Sequence, residues 1–299
     1  MRMLDPTIRW MAMALALAPN YAADCCKNSA AVVFSLSGSA TVRLPGNPTK
    51  VAVSGLDWLS DGATLEVGTG SRVVLILSNG RRFELGQGAK ATLMANAAPK
   101  ITGVVRELPA LPPIPKPVAV VADSAPTSGA VRVRGGEAIS DSLYPRAGMV
   151  ALPDKVSLRF KAVPNATSYR VTLENDGGDI LLNVTTESTE VAVPAGTIAA
   201  GEHYSWRVRA FSSGSEIAVG TAELTTLSAW NALQRAEFAS ALGAADNDPA
   251  TLALLAGVDL RLGLVAEACS EFGAAVKQRP DHAAWQRALA ACESSRNGR

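Results

Sequence analysis

Few side chains in this sequence have the type and spacing that catalysis needs. The two histidines, His203 and His282, stand far apart, and neither has a cysteine, serine or acid at a spacing typical of a metal site or a nucleophilic triad. Two pairs of carboxylates could in principle do acid–base work: Asp57 with Asp61, and Asp259 with Glu267. Aromatic residues are only 5% of the chain, too few to hold a sugar well, so solvated surface is the simpler interpretation. We expect a non-catalytic protein with no cofactor and no metal.

Composition excludes further classes of function. The chain has 299 residues, of which 48% are hydrophobic, so it can bury real cores. Its 28 basic and 27 acidic residues leave a formal net charge of +1, and a nearly neutral chain lacks the field that nucleic-acid binders use. The sequence contains no Gly-x-Ser-x-Gly elbow, no phosphate-binding loop and no Cys-x-x-Cys pair. We therefore expect no nucleic-acid partner.

The spacing of two cysteines near the C-terminus would allow them to meet across a helical hairpin. Cys269 and Cys292 are equidistant from the turn at Pro280 and Asp281, and residues equidistant from the turn of an antiparallel helical hairpin lie level with each other. Two further pairs share this midpoint: Phe272 with Leu289, and Val276 with Trp285. An exported protein could oxidise the cysteines to a disulfide, provided that their Cα atoms lie within about 7 Å. The alternative is two small buried thiols.

The N-terminus has the pattern of an export signal. Arg2 and Arg9 precede an apolar run, residues 10–18, which is shorter than the roughly 20 residues of a membrane-spanning helix. We predict a signal peptide over residues 1–23, a periplasmic or secreted location and no transmembrane segment after cleavage. The alternative is a buried N-terminal helix.

Cys25 and Cys26 follow the predicted cleavage site. Asp24 stands where a bacterial lipoprotein needs a small residue before the modified cysteine, so plain secretion is favoured over lipidation. The two cysteines could instead join disulfides, which export permits.

Residues 30–98 have a β pattern with frequent glycines. Asn79-Gly80 separates two apolar strand-like segments, residues 73–77 and 82–85, which is a strong hairpin signal because both turn positions tolerate positive φ.

The segment resembles the extracytoplasmic FecR-type domain through these features: Gly38-x-Ala40-x-Val42, Trp58-Leu59, Gly62, Leu65-x-Val67-Gly68-x-Gly70, Val73-x-Leu75-x-Leu77-x-Asn79-Gly80 and Phe83-x-Leu85-Gly86. In signalling members of that family, a cytosolic segment and a membrane helix precede the domain and control a sigma factor. The alternative is an unrelated small β-roll.

Prolines concentrate in the next segment. Six of the 17 prolines fall between residues 107 and 129. Proline-rich chains favour extended polyproline II structure and act as semi-rigid spacers, so we predict a linker over residues 99–129. Recognition of this segment by a partner's aromatic groove is the alternative.

Residues 130–227 alternate between apolar and polar positions, as in Tyr204-x-Trp206-x-Val208-x-Ala210. Strand-sized segments at intervals of about ten residues predict a β-sandwich. With Ala166-x-x-Tyr169-x-Val171 and Gly201, the pattern resembles a fibronectin type III or related immunoglobulin-like domain. Phe160 stands where many members place a tryptophan. We predict that Trp206 is a core residue, the alternative being a carbohydrate platform.

Residues 228–299 are rich in helix formers. Asp248-Pro249 predicts a helix start, because aspartate caps free N–H groups and proline suits the first turn. The spacings resemble one tetratricopeptide repeat of about 34 residues, carried by Leu252, Leu255, Ala256, Gly263, Ala268, Phe272, Ala275 and Pro280. Asp259 stands where that family has a large aromatic residue. Residues 228–245 and 282–294 would be helices of incomplete flanking repeats. The alternative is a plain helical bundle.

Tetratricopeptide arrays bind extended segments in a groove lined by their first helices. By position in the repeat, the groove residues would be Ala250, Ala253, Gly257 and, most of all, Leu260 and Arg261. The competing interpretation is that small apolar residues at this spacing pack against a neighbouring helix.

Together these patterns predict a multidomain, mainly β protein: a FecR-like β domain, a fibronectin-like sandwich and a short α-helical region. Our leading hypothesis is an exported cell-envelope scaffold that binds a protein partner, with cell-wall association as a further expectation. Envelope signal sensing is the first alternative. The second is a carbohydrate-binding accessory module, for which Trp58 is the best candidate residue.

Overall fold

The computed structural model describes residues 29–95, 97–118, 139, 142–146, 149–243 and 248–297. The predicted signal peptide, Cys25 and Cys26 lie outside these residues, as does the predicted linker beyond residue 118. The described chain is mainly β, with several sheets followed by four C-terminal helices. No described helix is long and apolar enough to cross a membrane.

The first β unit consists of two five-stranded sheets. One has the strand order β10-β7-β6-β1-β4 and the other β3-β2-β5-β8-β9. Its strands are β1 (Ser29–Ser37), β2 (Ala40–Arg43), β3 (Lys50–Ala52), β4 (Trp58–Ser60), β5 (Thr64–Val67), β6 (Arg72–Leu77), β7 (Arg82–Leu85), β8 (Lys90–Thr92), β9 (Lys100–Thr102) and β10 (Val105–Leu108). Alternate residues of the strands, such as Leu65, Leu75 and Leu85, are fully buried between the two sheets.

The hairpin predicted at Asn79-Gly80 joins β6 to β7. Only Gly80 adopts a positive φ, of 85°, so the turn differs from the tight type in which both central residues do. Gly80 also has no room for a side chain, since a Cβ there would lie 2.0 Å from the carbonyl oxygen of Leu111. Gly80 therefore lets the proline-rich segment approach the hairpin.

That approach corrects the predicted boundary at residue 98 and the first part of the predicted linker. β9 and β10 belong to the two sheets of the first unit, and the chain beyond them continues along it. Leu111 N donates to Gly80 O at 2.9 Å and Ile114 N donates to Ser78 O at 3.0 Å. The Leu111 and Ile114 side chains are buried. Up to residue 118, therefore, the segment is packed structure and not a free spacer.

The second β unit has a five-stranded sheet with the order β11-β17-β16-β13-β14 and a two-stranded sheet, β12-β15. Its strands are β11 (Val150–Ala151), β12 (Ser157–Arg159), β13 (Ser168–Asn175), β14 (Ile180–Thr186), β15 (Glu190–Ala192), β16 (His203–Ser212) and β17 (Ser215–Thr226). A 3-10 turn, Pro153–Lys155, precedes β12. Trp206 is a core residue as predicted, and its Nε1 donates to Pro145 O at 2.9 Å.

The four helices are α1 (Ala229–Ala241), α2 (Pro249–Leu262), α3 (Val265–Gln278) and α4 (Ala283–Asn297). As the sequence predicts, α2 begins at Asp248-Pro249: the Asp248 carboxylate accepts from Thr251 N at 2.9 Å. Gly263, with a φ of 77°, ends α2 in the left-handed conformation that favours glycine. The Ser228 side chain caps α1 in the same way as Asp248 caps α2.

One apolar cluster contains residues from both β units, the proline-rich segment and the helices of the described chain. Its buried residues are Val32, Ile76, Leu111, Ile114, Val150, Leu227, Phe238, Leu254, Val258, Leu262 and Leu264. The helices therefore do not form a separate tip on the molecule. Burial of such side chains stabilises a fold by about 1.5–3 kcal/mol each, so this cluster fixes the units against one another.

Candidate functional site

The face of α2 that the sequence predicts as a groove lies against the first β unit. Arg261 is only 7% exposed, and its guanidinium carbon lies 4.9 Å from the ring centroid of Trp58. Arg261 Nη1 also donates to Ser29 Oγ at the start of β1. On the backbone, Val118 N donates to Arg261 O at 3.2 Å. Arg261 thus connects α2 to the first unit and to the end of the proline-rich segment.

Gly257, one turn before Arg261, also lies against the indole of Trp58. A Cβ at position 257 would lie 3.1 Å from Trp58 Nε1 and 3.2 Å from Trp58 Cζ2, tighter than ordinary van der Waals contact. Leu260 is half-buried and packs with the α2–α3–α4 cluster. The predicted groove at Leu260 and Arg261 is therefore filled from within the chain, which corrects that prediction. The spacing of the helical repeat describes contacts between helices, so it could not predict that a β unit covers this face of α2.

A buried ionic network connects the first three helices. Arg235 on α1 donates to both carboxylate oxygens of Asp259 on α2, with Nε–Oδ1 and Nη2–Oδ2 distances of 2.6 Å. Arg235 Nη2 also donates to Glu271 Oε1 on α3 at 3.1 Å. The Asp259 side chain is fully buried, while those of Arg235 and Glu271 are each 16% exposed. Such bidentate, desolvated pairing fixes the relative position of the helices.

Burial sets the protonation of this network. Burial, followed by the negative charge of Asp259, raises the pKa of Glu271 to about 9, so its carboxyl group is protonated at neutral pH. Glu271 Oε2 is buried and has no hydrogen-bond partner among the described residues. Burial also raises the pKa of Asp259, and the hydrogen bonds from Arg235 oppose that shift.

Three of the four carboxylates that the sequence offered for acid–base work have structural roles. Asp259 is enclosed and cannot reach a substrate. Asp57 Oδ2 accepts from Ser54 N at 2.7 Å and stabilises a local turn. Asp61 Oδ1 accepts from Ala95 N at 2.8 Å and joins the β4–β5 turn to the segment after β8.

Glu267 on α3 faces the second β unit beside Tyr144. Burial raises the pKa of Glu267, and burial raises the pKa of Tyr144 to about 12. The two residues line a cavity of about 30 Å³, together with Lys155 and Arg159. A cavity of that size holds a water molecule but no organic substrate.

The two histidines remain separate in the structure. His203 Nδ1 lies 2.9 Å from Thr225 Oγ1, and the ring of His282 stacks on Trp285 with 3.9 Å between centroids. Within the described ranges, no three histidine, cysteine, aspartate or glutamate side chains lie close enough to hold a metal ion.

Cys269 on α3 and Cys292 on α4 form a disulfide with a Cα–Cα separation of 5.6 Å. The two further pairs with the same midpoint contribute to the apolar cluster of this region: Phe272 and Leu289, and Val276 and Trp285. The bridge closes the α3–α4 hairpin beside its apolar seam.

The role of Arg235 was not predicted from the sequence. A signal was available, because Asp259 lies in an otherwise apolar stretch of α2 and a buried carboxylate requires a cationic partner. Which of the many basic residues supplies it depends on how α1 packs, and local periodicity does not encode that.

No family model matches the chain, and no curated protein matches it. Solved structures similar to it include fibronectin type III-like domains. An Fn3-like protein from Clostridium thermocellum is 29% identical over 26% of this chain and 83% of that one, with a TM-score of 0.22. Chicken CNTN1 FN1–FN3 domains are 12% identical over 67% and 62% of the respective chains, with a TM-score of 0.24. A two-domain fibronectin type III segment of chicken tenascin is 11% identical over 67% and 94%, with a TM-score of 0.23.

Proposed function

We propose that this protein is an exported, non-catalytic scaffold of the cell envelope that holds two β units in a fixed geometry for a protein partner. The observation that carries the proposal is the apolar cluster shared by both β units, the proline-rich segment and the helices. A chain of flexibly linked modules would not bury residues of all its parts in one cluster. A scaffold needs such a fixed geometry, because it holds its binding surfaces at a constant distance from each other.

The finer identities of the units belong to the same proposal. The first unit is a FecR-like domain, and α2 with α3 is a tetratricopeptide-like helix pair whose groove face has been used for internal packing. The glycine-punctuated strands of the first unit and the small residues Ala256 and Ala268, at the spacing of the repeat, support these assignments. The protein would act in the periplasm or outside the cell, where the Cys269–Cys292 bridge is stable.

The test expresses the full chain with its own N-terminus and a C-terminal tag, fractionates the cells, and cross-links the intact envelope before capture. We expect the chain in the exported fraction with a Cys269–Cys292 disulfide, and one envelope assembly protein recovered with it. That protein, purified separately, should bind the purified chain in a fixed ratio. Location only in the cytosol with free thiols would contradict export, and recovery of a sigma regulator would favour sensing over scaffolding.

A further inference from the structure

β14 forms one edge of the five-stranded sheet in the second β unit. β14 is the last strand of the sheet β11-β17-β16-β13-β14, so among the described strands its backbone groups pair with β13 alone. It is seven residues long, with the sequence Ile-Leu-Leu-Asn-Val-Thr-Thr. The free side of such a strand offers a row of N–H and C=O groups to another strand.

β14 lacks two of the features with which proteins usually protect an edge, and its irregular pairing with β13 is confined to its first residues, between Ile180 and Leu182. It contains no charged residue and no proline. The other described edges are shorter and are charged or covered: β3, β9 and β10 carry Lys50, Lys100, and Arg106 with Glu107, while β12 and β15 carry Arg159 and Glu190. β4 has Trp58 against α2, and β11 has two residues. Among the described strands, β14 is the edge that remains open to pairing.

The side chains along β14 are suited to a β-rich partner. Leu182 and Val184 pair with Leu173 and Val171 of β13 and are only half-buried at the margin of the sandwich core. Ile180 is 59% exposed. An added strand with apolar residues at alternate positions would cover these side chains while its backbone completes the hydrogen bonds.

Charge at the two ends of β14 indicates which strand would fit. Asp176 and Asp179 precede β14, and Glu187 follows it. Beside its first residues, an open cavity of about 430 Å³ is lined by Leu181, Asp176 and Glu202, and no lysine or arginine lines it. Lysine or arginine residues at both ends of an added strand would meet these carboxylates.

A second copy of β14 fits less well, because antiparallel pairing centred on Asn183 would place Asp179 opposite Glu187.

We propose that β14 binds an extended segment of a partner protein as an added strand, and that this segment has an uncharged, alternating apolar centre with basic residues at both ends. This inference rests on the proposed scaffold function, since it names the surface that the partner uses. The bound segment would continue the five-stranded sheet.

The test measures binding of a synthetic probe peptide, Lys-Lys-Val-Thr-Val-Thr-Val-Lys-Lys, to the full oxidised chain by fluorescence anisotropy at low salt. The variant Asn183→Lys/Thr185→Lys places charge on two exposed positions of β14 and should weaken binding at least tenfold. The control variant Val105→Lys alters the charged edge strand β10 and should leave binding unchanged. A peptide with glutamate in place of lysine should bind at least tenfold more weakly.

Backbone pairing is tested separately with two peptides that are N-methylated at alternate residues in opposite phases. Only the phase that blocks the N–H groups facing β14 should lose binding. Equal binding of both phases, unchanged binding by the β14 variant, or no binding of the unmodified peptide would overturn the proposal. Dimerisation of the chain through β14 in sedimentation would assign the edge to a second copy and would overturn it as well.

Two results distinguish a failure of the β14 inference from a failure of the scaffold proposal. If the envelope partner captured in cells is recovered equally well with Asn183→Lys/Thr185→Lys, the β14 inference fails and the scaffold function stands. If no envelope partner exists but the peptide binds as expected, the scaffold proposal fails alone.

Discussion

The indole of Trp58 occupies the space that a side chain at position 257 would need. Trp58 belongs to the first β unit and Gly257 to α2, so this contact, together with Arg261 one turn further along, attaches the helices to the first unit. The close approach of the Trp58 ring explains why a glycine occupies position 257 in the middle of α2.

Substitution of Gly257 by leucine should force Trp58 away from α2. Overpacking of this kind typically costs about 1–3 kcal/mol, and we expect a lower free energy of unfolding by that amount in denaturant titrations. Gly273→Ala in α3 is the control: a Cβ there meets nothing within 4 Å, so improved helix propensity should stabilise by up to about 1 kcal/mol. A Gly257→Leu protein as stable as the wild type would mean that the contact is absent in solution.

Removal of the Arg235 side chain should strongly destabilise the helices. Arg235→Ala leaves the fully buried Asp259 carboxylate without its cation, and breaking a buried pair from one side costs about 3–5 kcal/mol. The matched control is Arg209→Ala, which breaks the exposed pair with Glu216 and should have a much smaller effect. Equal effects of the two variants on urea unfolding would refute the buried network.

The network also predicts a pH dependence of stability. The pKa of Glu271 is raised by burial from about 4.5 to about 9, so the folded state binds the proton more tightly than the unfolded state. The stabilisation is complete below about pH 4.5 and is lost as the pH rises through about 9. Glu271→Gln retains a neutral side chain, and its melting temperature should therefore fall less than that of the wild type between pH 6 and pH 9.5. Parallel melting curves across this range would show that Glu271 is ionised in the fold.

Loss of the disulfide should destabilise the α3–α4 hairpin. Cys269 and Cys292 are separated by 23 residues, and in the chain-entropy description a bridge closing a loop of this size contributes about 3 kcal/mol. We expect Cys269→Ala/Cys292→Ala to unfold at a lower urea concentration than the oxidised wild type. Under reducing conditions, the wild type should unfold at the same urea concentration as the variant. Intact-mass analysis without reductant supplies the direct measurement, and free thiols at both positions would contradict the bridge.

The sequence predicted the features that depend on neighbours along the chain. The Asp248 cap, the hairpin at Asn79-Gly80 and the burial of Trp206 each follow from a short pattern, and the structure contains all three. The strands β9 and β10 escaped prediction because they are short and partly charged edge strands, in which alternation is weak.

The contacts between units could not be predicted from local patterns. Arg261 was assigned to an open groove because a helical repeat pattern places it on the concave face, whereas the ring that covers it comes from Trp58, about two hundred residues earlier in the chain. The packed proline-rich segment is a similar case, because its contacts with Gly80 depend on tertiary structure and its composition alone indicates a spacer.

The most direct test of a single body with fixed β units is a double-mutant cycle on Trp58 and Arg261. The variants Trp58→Ala, Arg261→Ala and their combination are unfolded in urea as full, oxidised chains, so that all other interactions of either residue cancel. We predict a coupling free energy of about 0.5–2 kcal/mol, the range for a cation above an aromatic ring that is partly shielded from water. Strictly additive effects of the two substitutions would show that Trp58 and Arg261 do not interact in solution, and would contradict this attachment of α2 to the first β unit.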